Sequence, residues 1–334
     1  MVEFFKTVDG RITEVSEFTE GCWVNMVHPS SDELEQIAQA AQVEEEFVRA
    51  ALDPEESSRV DTEDEQLLMI VDIPMVEKSS VEDGGQMFTT IPMGIVVAQN
   101  AVITVCLEDS IILRSIAEGA VKGVHTSLKT RFVFQILLRI AGRFLKNLRM
   151  IERDFTRIEK RLYDSLKNEE LIQLLGLSKS LVYFSSSLKG NEVTMEKVLR
   201  GRVLKLYEDD RDILEDALIE VRQAIEMANI YSNIMAGTMD AYASVVSNNL
   251  NIIMKVLTIL TIIMTIPNIV FGFFGMNIGE GHTGRLGLVD AAGHYGGWLL
   301  LCMVDAEEEK SGLIQAALPR NTRRRSFLPS VHIG

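Results

Sequence analysis

The chain has 334 residues, 47% of them apolar and 24% charged, so it is neither a disordered polyelectrolyte nor a uniformly membrane-embedded protein. Its 48 Asp and Glu against 33 Lys and Arg, a formal charge of −15, argue against nucleic acid as a partner and suit divalent cations. Cys22, Cys106 and Cys302 lack C-x-x-C spacing, so neither a disulfide framework nor a structural zinc site is indicated. "MVEFFKTVDG" carries no visible secretion signal.

Residues 1–125 are expected to form a compact α/β domain. "CWVNMV", "QLLMIVDIP" and "GIVVAQNAVITVCL" read as strands, the last as two strands joined by a tight turn at Gln99-Asn100. Between them "PSSDELEQIAQAA" predicts a helix capped by Ser30 or Ser31, with Leu34, Ile37 and Ala41 on its inner face.

From Ser127 the period changes. Phe134, Leu137, Ala141, Phe144, Leu148, Ile151, Phe155, Ile158 and Leu162 alternate steps of three and four, the seam of a long helix packed along another. "YDSLKNEE" interrupts the seam, and Leu171, Leu174, Ser178, Leu181, Ser185 and Leu188 continue it on a returning arm that "LKGNE" then loosens. Residues 126–250 are therefore read as a helical hairpin followed by a stalk helix.

The last helix is expected to begin near Asp209 or Asp210 as N-cap and to meet no proline until Pro267, a rod of roughly 100 Å. From Val256 to Met276 no residue is charged, enough to cross about 30 Å of hydrocarbon. Polar and small residues follow one stripe: Asp240, Ser244, Ser247, Asn251, Met254, Thr258, Thr261, Thr265, Asn268 and Gly272. Such side chains are costly against lipid, so the stripe faces either a packed neighbouring helix or water. Several copies around an axis would turn it into stacked rings lining a pore, and neutral oxygens suit a hydrated ion better than a stripped one. Residues 251–276 are read as the pore-lining span, with Asn277 at its mouth and Gly272 and Gly275 letting backbones crowd beneath it.

The stretch "YSNIMAGTMDAYASVVSNNLNIIMKVLTILTIIMTIPNIVFGFFGMN", with Met-Lys-x-Leu-Thr at Met254 to Thr258, Pro267 and Gly275-Met276-Asn277, resembles the pore segment of CorA-type magnesium transporters. "CWVNMVHPSSDELEQIA" is similar to the opening of that family's cytoplasmic domain. The resemblance implies an α+β chain: a cytoplasmic α/β domain, long coiled-coil-like stalk helices and a transmembrane pore helix, assembled as a homopentamer in the cell (inner) membrane. It implies inward conduction of Mg2+, with Co2+ and Ni2+ as substitutes, an entrance at Gly275, Met276 and Asn277 where Asn277 binds the hydrated ion, and a pore lined or constricted at Asp240, Asn251, Met254, Leu257, Thr265, Asn268 and Gly272, to which the stripe adds Thr258 and Thr261. It also implies gating by cytoplasmic Mg2+ bound between subunits, with Asp216 in "LEDALIE" as one carboxylate. Another branch of the superfamily moves zinc.

After Asn277 the chain departs from the family's pattern. Residues 277–334 are glycine-rich, Asp290 and His294 interrupt their apolar stretch, and the uncharged run from Ala291 to Val304 is short for a second span. With one span, "RNTRRR" would lie outside, against the tendency of basic segments to stay cytoplasmic. A reading-frame shift near Ile278 and a divergent tail both stay open, as does a membrane-tethered, non-conducting assembly or sensor subunit. His282, His294 and Cys302 match no compact zinc motif, and His28 and His125 read as surface or packing residues. No Ser-His-Asp set, phosphate loop or nucleotide turn indicates an enzyme.

Overall fold

A computed structural model describes residues 1–63, 66–77, 87–165, 168–200 and 207–274. It separates into two compact units, Met1–Asp240 and Ala241–Gly334.

The first unit is built on one seven-stranded sheet. Its strands are β1 (Val2–Val8), β2 (Arg11–Val15), β3 (Cys22–Val27), β4 (Arg59–Glu63), β5 (Gln66–Glu77), β6 (Met87–Val97) and β7 (Ala101–Cys106), in the order β2-β1-β3-β7-β6-β5-β4. Every pairing is antiparallel except β3 with β7, which run parallel from Cys22↔Ala101 to Val27↔Cys106. That central pair carries helices on both faces, so "CWVNMV" and "AVITVC" have almost no exposed position and read as continuous apolar runs. The β6–β7 turn falls at Gln99-Asn100 as the sequence predicts, closed by the Ala98 N–H on the Ala101 carbonyl at 2.9 Å. Strands β1, β2 and β4 have no counterpart among the runs named above. Their alternation is weak because they sit toward the sheet edges and expose much of their length.

One face of the sheet is covered by α1 (Ser31–Ala41) and α2 (Glu45–Arg49). Ser30 is the α1 N-cap: its hydroxyl accepts from the Glu33 N–H, and the Glu33 carboxylate accepts from the Ser30 N–H at 2.8 Å. This cap aims Leu34, Ile37, Ala38 and Ala41 at Val24, Met26, Ile70 and Ile103 of the sheet. A Cβ at Gly94 of β6 would lie 2.8 Å from the Ala51 Cβ, so only glycine lets the segment after α2 approach so closely. Cys106, at the end of β7, is fully buried, and burial pushes its thiol up to about 12 and makes it a packing residue.

The other face carries α4 (Lys129–Ser165) and α5 (Asn168–Leu199), preceded by the short α3 (Ile111–Ala117). Trp23 packs between Phe5, tilted at 31°, and Phe132, edge-on, with ring centroids 4.9 Å and 5.4 Å away, and its indole N–H donates to the Thr104 hydroxyl at 2.8 Å. The predicted seam of α4 is buried from Phe134 through Ile151 and again at Ile158 and Leu162. On α5, Leu174, Leu181 and Leu188 are buried as expected, but the helix does not loosen at "LKGNE". It runs on to Leu199 because Ser180, Ser187 and Asn191 face the sheet: Ser180 accepts from the Phe88 N–H at 3.0 Å, Ser187 donates to Thr90 at 2.8 Å, and Asn191 binds the Asp72 backbone. A helix squeezed between a sheet and other helices needs no single apolar stripe.

The last helix, α6, spans Glu208–Phe274. It is already helical at Glu208, so Asp209 and Asp210 occupy its first turn, where carboxylates complement the helix dipole, and neither is the predicted cap. Within the first unit α6 buries Leu214, Ala217, Val221, Ala224, Ala228 and Met235. Arg222 clamps it to Glu192 and Glu196 of α5, and the Tyr231 hydroxyl donates to Glu152 of α4 at 3.0 Å.

Candidate ion pathway

Past Asp240 the environment of α6 changes. The large apolar residues of the second unit stand open: Ile253 is 61% exposed, Met264 64% and Ile269 65%. Leaving such side chains in water forgoes about 1.5–3 kcal/mol each, so a run of them requires lipid or neighbouring protein. Among the described residues α6 is the one helix long and apolar enough to cross a membrane, and its apolar window has no buried residue.

The sequence-predicted polar stripe lies along this helix. Ser244, Ser247, Asn251, Met254, Thr258, Thr261, Thr265, Asn268 and Gly272 are all exposed, as is Asp240 at the end of the first unit. Leu257, beside the stripe, is 55% exposed. From Asn251 to Asn268 the stripe extends about 26 Å along the axis, close to the thickness of a hydrocarbon core. The hydroxyls of Thr258, Thr261 and Thr265 donate to the carbonyls of Met254, Leu257 and Thr261 at 2.8, 2.8 and 2.7 Å. Each hydroxyl proton is thus used inside the helix, and each oxygen keeps its lone pairs for an outside donor. Water molecules oriented around a cation point their hydrogens outward, so a row of such acceptors complements a hydrated cation. Pro267 sits inside the helix and removes one backbone donor from it.

Gly275, Met276 and Asn277 lie outside the described residues, as do the tail from residue 278 onward and its His282, His294 and Cys302. Asp216 is exposed on the first-unit part of α6, four residues before Glu220. Among the described residues of one chain no cluster of three His, Cys, Asp or Glu could hold a metal ion, so Asp216 has no ready-made ligand set around it.

The sequence reading missed a second group of polar residues. In the first unit Asp72 of β5 meets Ser58, Ser187 and Asn191, and burial raises the Asp72 carboxyl above its ordinary value, against the smaller opposing effect of the nearby Ser187 and Ser58 hydroxyls. Asn191 in "KGNE", a polar residue in a helix otherwise packed on a sheet, was the available signal.

Residues 19–302 match the family model described as CorA-like Mg2+ transporter protein. The chain belongs to the CorA family. That family is one of divalent-cation transporters rather than enzymes. The cobalt/magnesium transport protein CorA of Methanocaldococcus jannaschii is 26% identical over 280 residues, 81% of this chain and 84% of that protein. The complete structure of the CorA magnesium transporter from the same organism aligns with a TM-score of 0.77 at 20% identity, covering 92% of this chain and 96% of that one. The cytoplasmic domain of ZntB from Vibrio parahaemolyticus shares the fold over 74% of this chain and 98% of its own, with a TM-score of 0.58 and 16% identity. The sheet-containing first unit with its long helices matches the CorA architecture, and the apolar α6 is consistent with a pore helix.

Proposed function

We propose that this CorA-family chain assembles as a homopentamer around an axis lined by the α6 stripe and passively conducts hydrated Mg2+, with Co2+ and Ni2+ as substitutes. The observation that carries this reading is the stripe: a line of exposed oxygens along a helix rich in exposed apolar side chains, with none of the described residues covering it. Oligomerisation hides the oxygens from lipid and gives them water, which resolves both costs at once. Asn251, Thr258, Thr261, Thr265 and Asn268 hold the hydration shell through weak repeated contacts. Met254 and Leu257 narrow the path where no oxygen is presented, and Gly272 lets helices approach. Asn277 supplies amide oxygens at the entrance beside Gly275 and Met276, and Asp240 gathers cations at the other end. The N-terminal unit lies in the cytoplasm, where Mg2+ bound between subunits through Asp216 closes the pore.

The test is ion flux into liposomes containing only this chain. Wild type takes up Mg2+, and Asn277→Ala abolishes uptake while the protein still elutes as the same oligomer. Normal uptake by that variant removes Asn277 from the entrance. A second reading, favoured by the glycine-rich, weakly apolar segment after Asn277, is a membrane-tethered assembly or sensor subunit: it gives oligomers but no flux. Preference for Zn2+ over Mg2+ in the same assay would instead place the chain with a zinc-transporting branch.

A further inference from the structure

The first unit contains an open cleft of about 660 Å³ between α3, α4 and α6, within the size range of small-molecule and cofactor sites. Its lining includes Arg114, Arg139, Arg143 and Lys146, against the carboxylates of Glu118 and Glu220. In a chain where acids outnumber bases 48 to 33, eight of the described arginines pair with a carboxylate. Arg49, Arg59, Arg131, Arg157, Arg211 and Arg222 all do, and Arg114 pairs with Asp109. Arg139, Arg143 and Lys146 have no hydrogen-bond or ion-pair partner among the described residues. They nonetheless share one face of α4 at the spacing i, i+4, i+7 and open on the same cavity. The basic groups of the cleft outnumber its two carboxylates, Glu118 and Glu220, and an anionic ligand is what balances the excess.

Size and shape narrow the ligand. The three cations extend over about 10 Å of helix axis, too far for one phosphate group and within reach of two or three linked ones. Ile111, Ile112 and Leu138 supply an apolar wall for an uncharged body. Gly142 keeps the α4 wall low, since a Cβ there would lie 3.3 Å from the Glu220 carboxylate. Glu118 and Glu220 suit a polyphosphate that carries its own Mg2+, an ion commonly held by one or two carboxylates together with phosphates.

We propose that this cleft binds an organic polyphosphate of nucleotide size as its Mg2+ complex, with Arg139, Arg143 and Lys146 on the phosphates and Ile111, Ile112 and Leu138 on the body. The site is independent of the pore assignment, because binding is read without flux. Calorimetric titration of the full-length oligomer in detergent, at constant Mg2+, uses ATP, ADP, pyrophosphate and adenosine as probes. ATP and ADP bind saturably, pyrophosphate more weakly, and adenosine not at all. The double variant Arg139→Gln/Arg143→Gln and the single exposed-site variant Lys146→Glu each weaken ATP by roughly tenfold or more, whereas Arg153→Gln, on the same helix outside the cleft, does not. Absence of saturable ATP binding up to about 1 mM overturns the proposal, as does equal weakening by Arg153→Gln, which would mean a diffuse basic helix.

Discussion

The side-chain amide of Asn191 pairs with both backbone polar groups of Asp72, accepting from its N–H at 2.8 Å and donating to its carbonyl at 2.8 Å. Asp72 lies on β5 just past the last residue paired with β4, where Arg59 faces Ile70, so its outward backbone groups have no strand to meet. A helix side chain therefore takes the place of a strand. The arrangement also explains the prolines: Pro74 lies two residues farther along β5 on the same unpaired side, so no ladder bond is lost.

Asn191→Ala should destabilise the first unit by about 1–3 kcal/mol for each backbone group left buried and unpaired. Thermal melts of the detergent-solubilised protein, followed by circular dichroism, would show it. Asn191→Leu, which fills the space without restoring the bonds, should not recover the loss. Recovery by leucine would mean that packing alone holds α5 to β5.

Asp72 itself should report on pH. Burial raises its folded-state value, so the folded protein opposes ionisation that the unfolded chain accepts. Stability from this group is full below the ordinary aspartate value of about 3.9 and declines as pH rises through the raised folded value. Asp72→Asn should therefore melt higher than wild type at neutral pH, with the difference shrinking as pH falls toward the ordinary value. A constant difference across that range would remove ionisation as the cause.

Trp23→Phe keeps an aromatic ring against Phe5 and Phe132 but deletes the donor to Thr104, in a site where both Trp23 and Thr104 are fully buried. A cost of about 1–3 kcal/mol is expected. Trp23→Phe/Thr104→Val, which removes both partners, should lose less than the sum of the two single changes, as a double-mutant cycle on melting would show.

For transport, replacing acceptors on the stripe should matter and replacing apolar residues on the other face should not. Thr258→Leu or Thr265→Leu is expected to lower Mg2+ flux roughly tenfold or more, equivalent to about 1.4 kcal/mol of added barrier. Ile253→Leu and Leu260→Ile should leave it near wild type. Equal losses on both faces would point to a helix packed on all sides rather than one facing water.

The elements legible in the chain were those whose burial repeats along their own axis. The α4 seam, the capping box at Ser30, the central strands β3 and β7 and the apolar end of α6 each announce themselves, because one-dimensional periodicity records which face is covered. The stretch from Tyr231 to Asn277 carries the family resemblance in its sequence alone. The edge strands β1, β2 and β4, the continuation of α5 to Leu199 and the pairing of Asn191 with Asp72 were not legible. Strands β2 and β4 are held by short hairpins to β1 and β5, at Val8↔Arg11 and Glu63↔Gln66, whose half-exposed residues alternate too weakly to be read, whereas α5 is held to β5 through Asn191 and Asp72, 119 residues apart, which no local pattern encodes. The cleft around Arg139 and Arg143 is of the same kind: the sequence shows a basic helix, and only folding brings α3 and α6 alongside it to make a cavity. Periodicity reports what a segment buries, whereas tertiary structure alone decides against what, because long-range contact is a property of two segments and not of one.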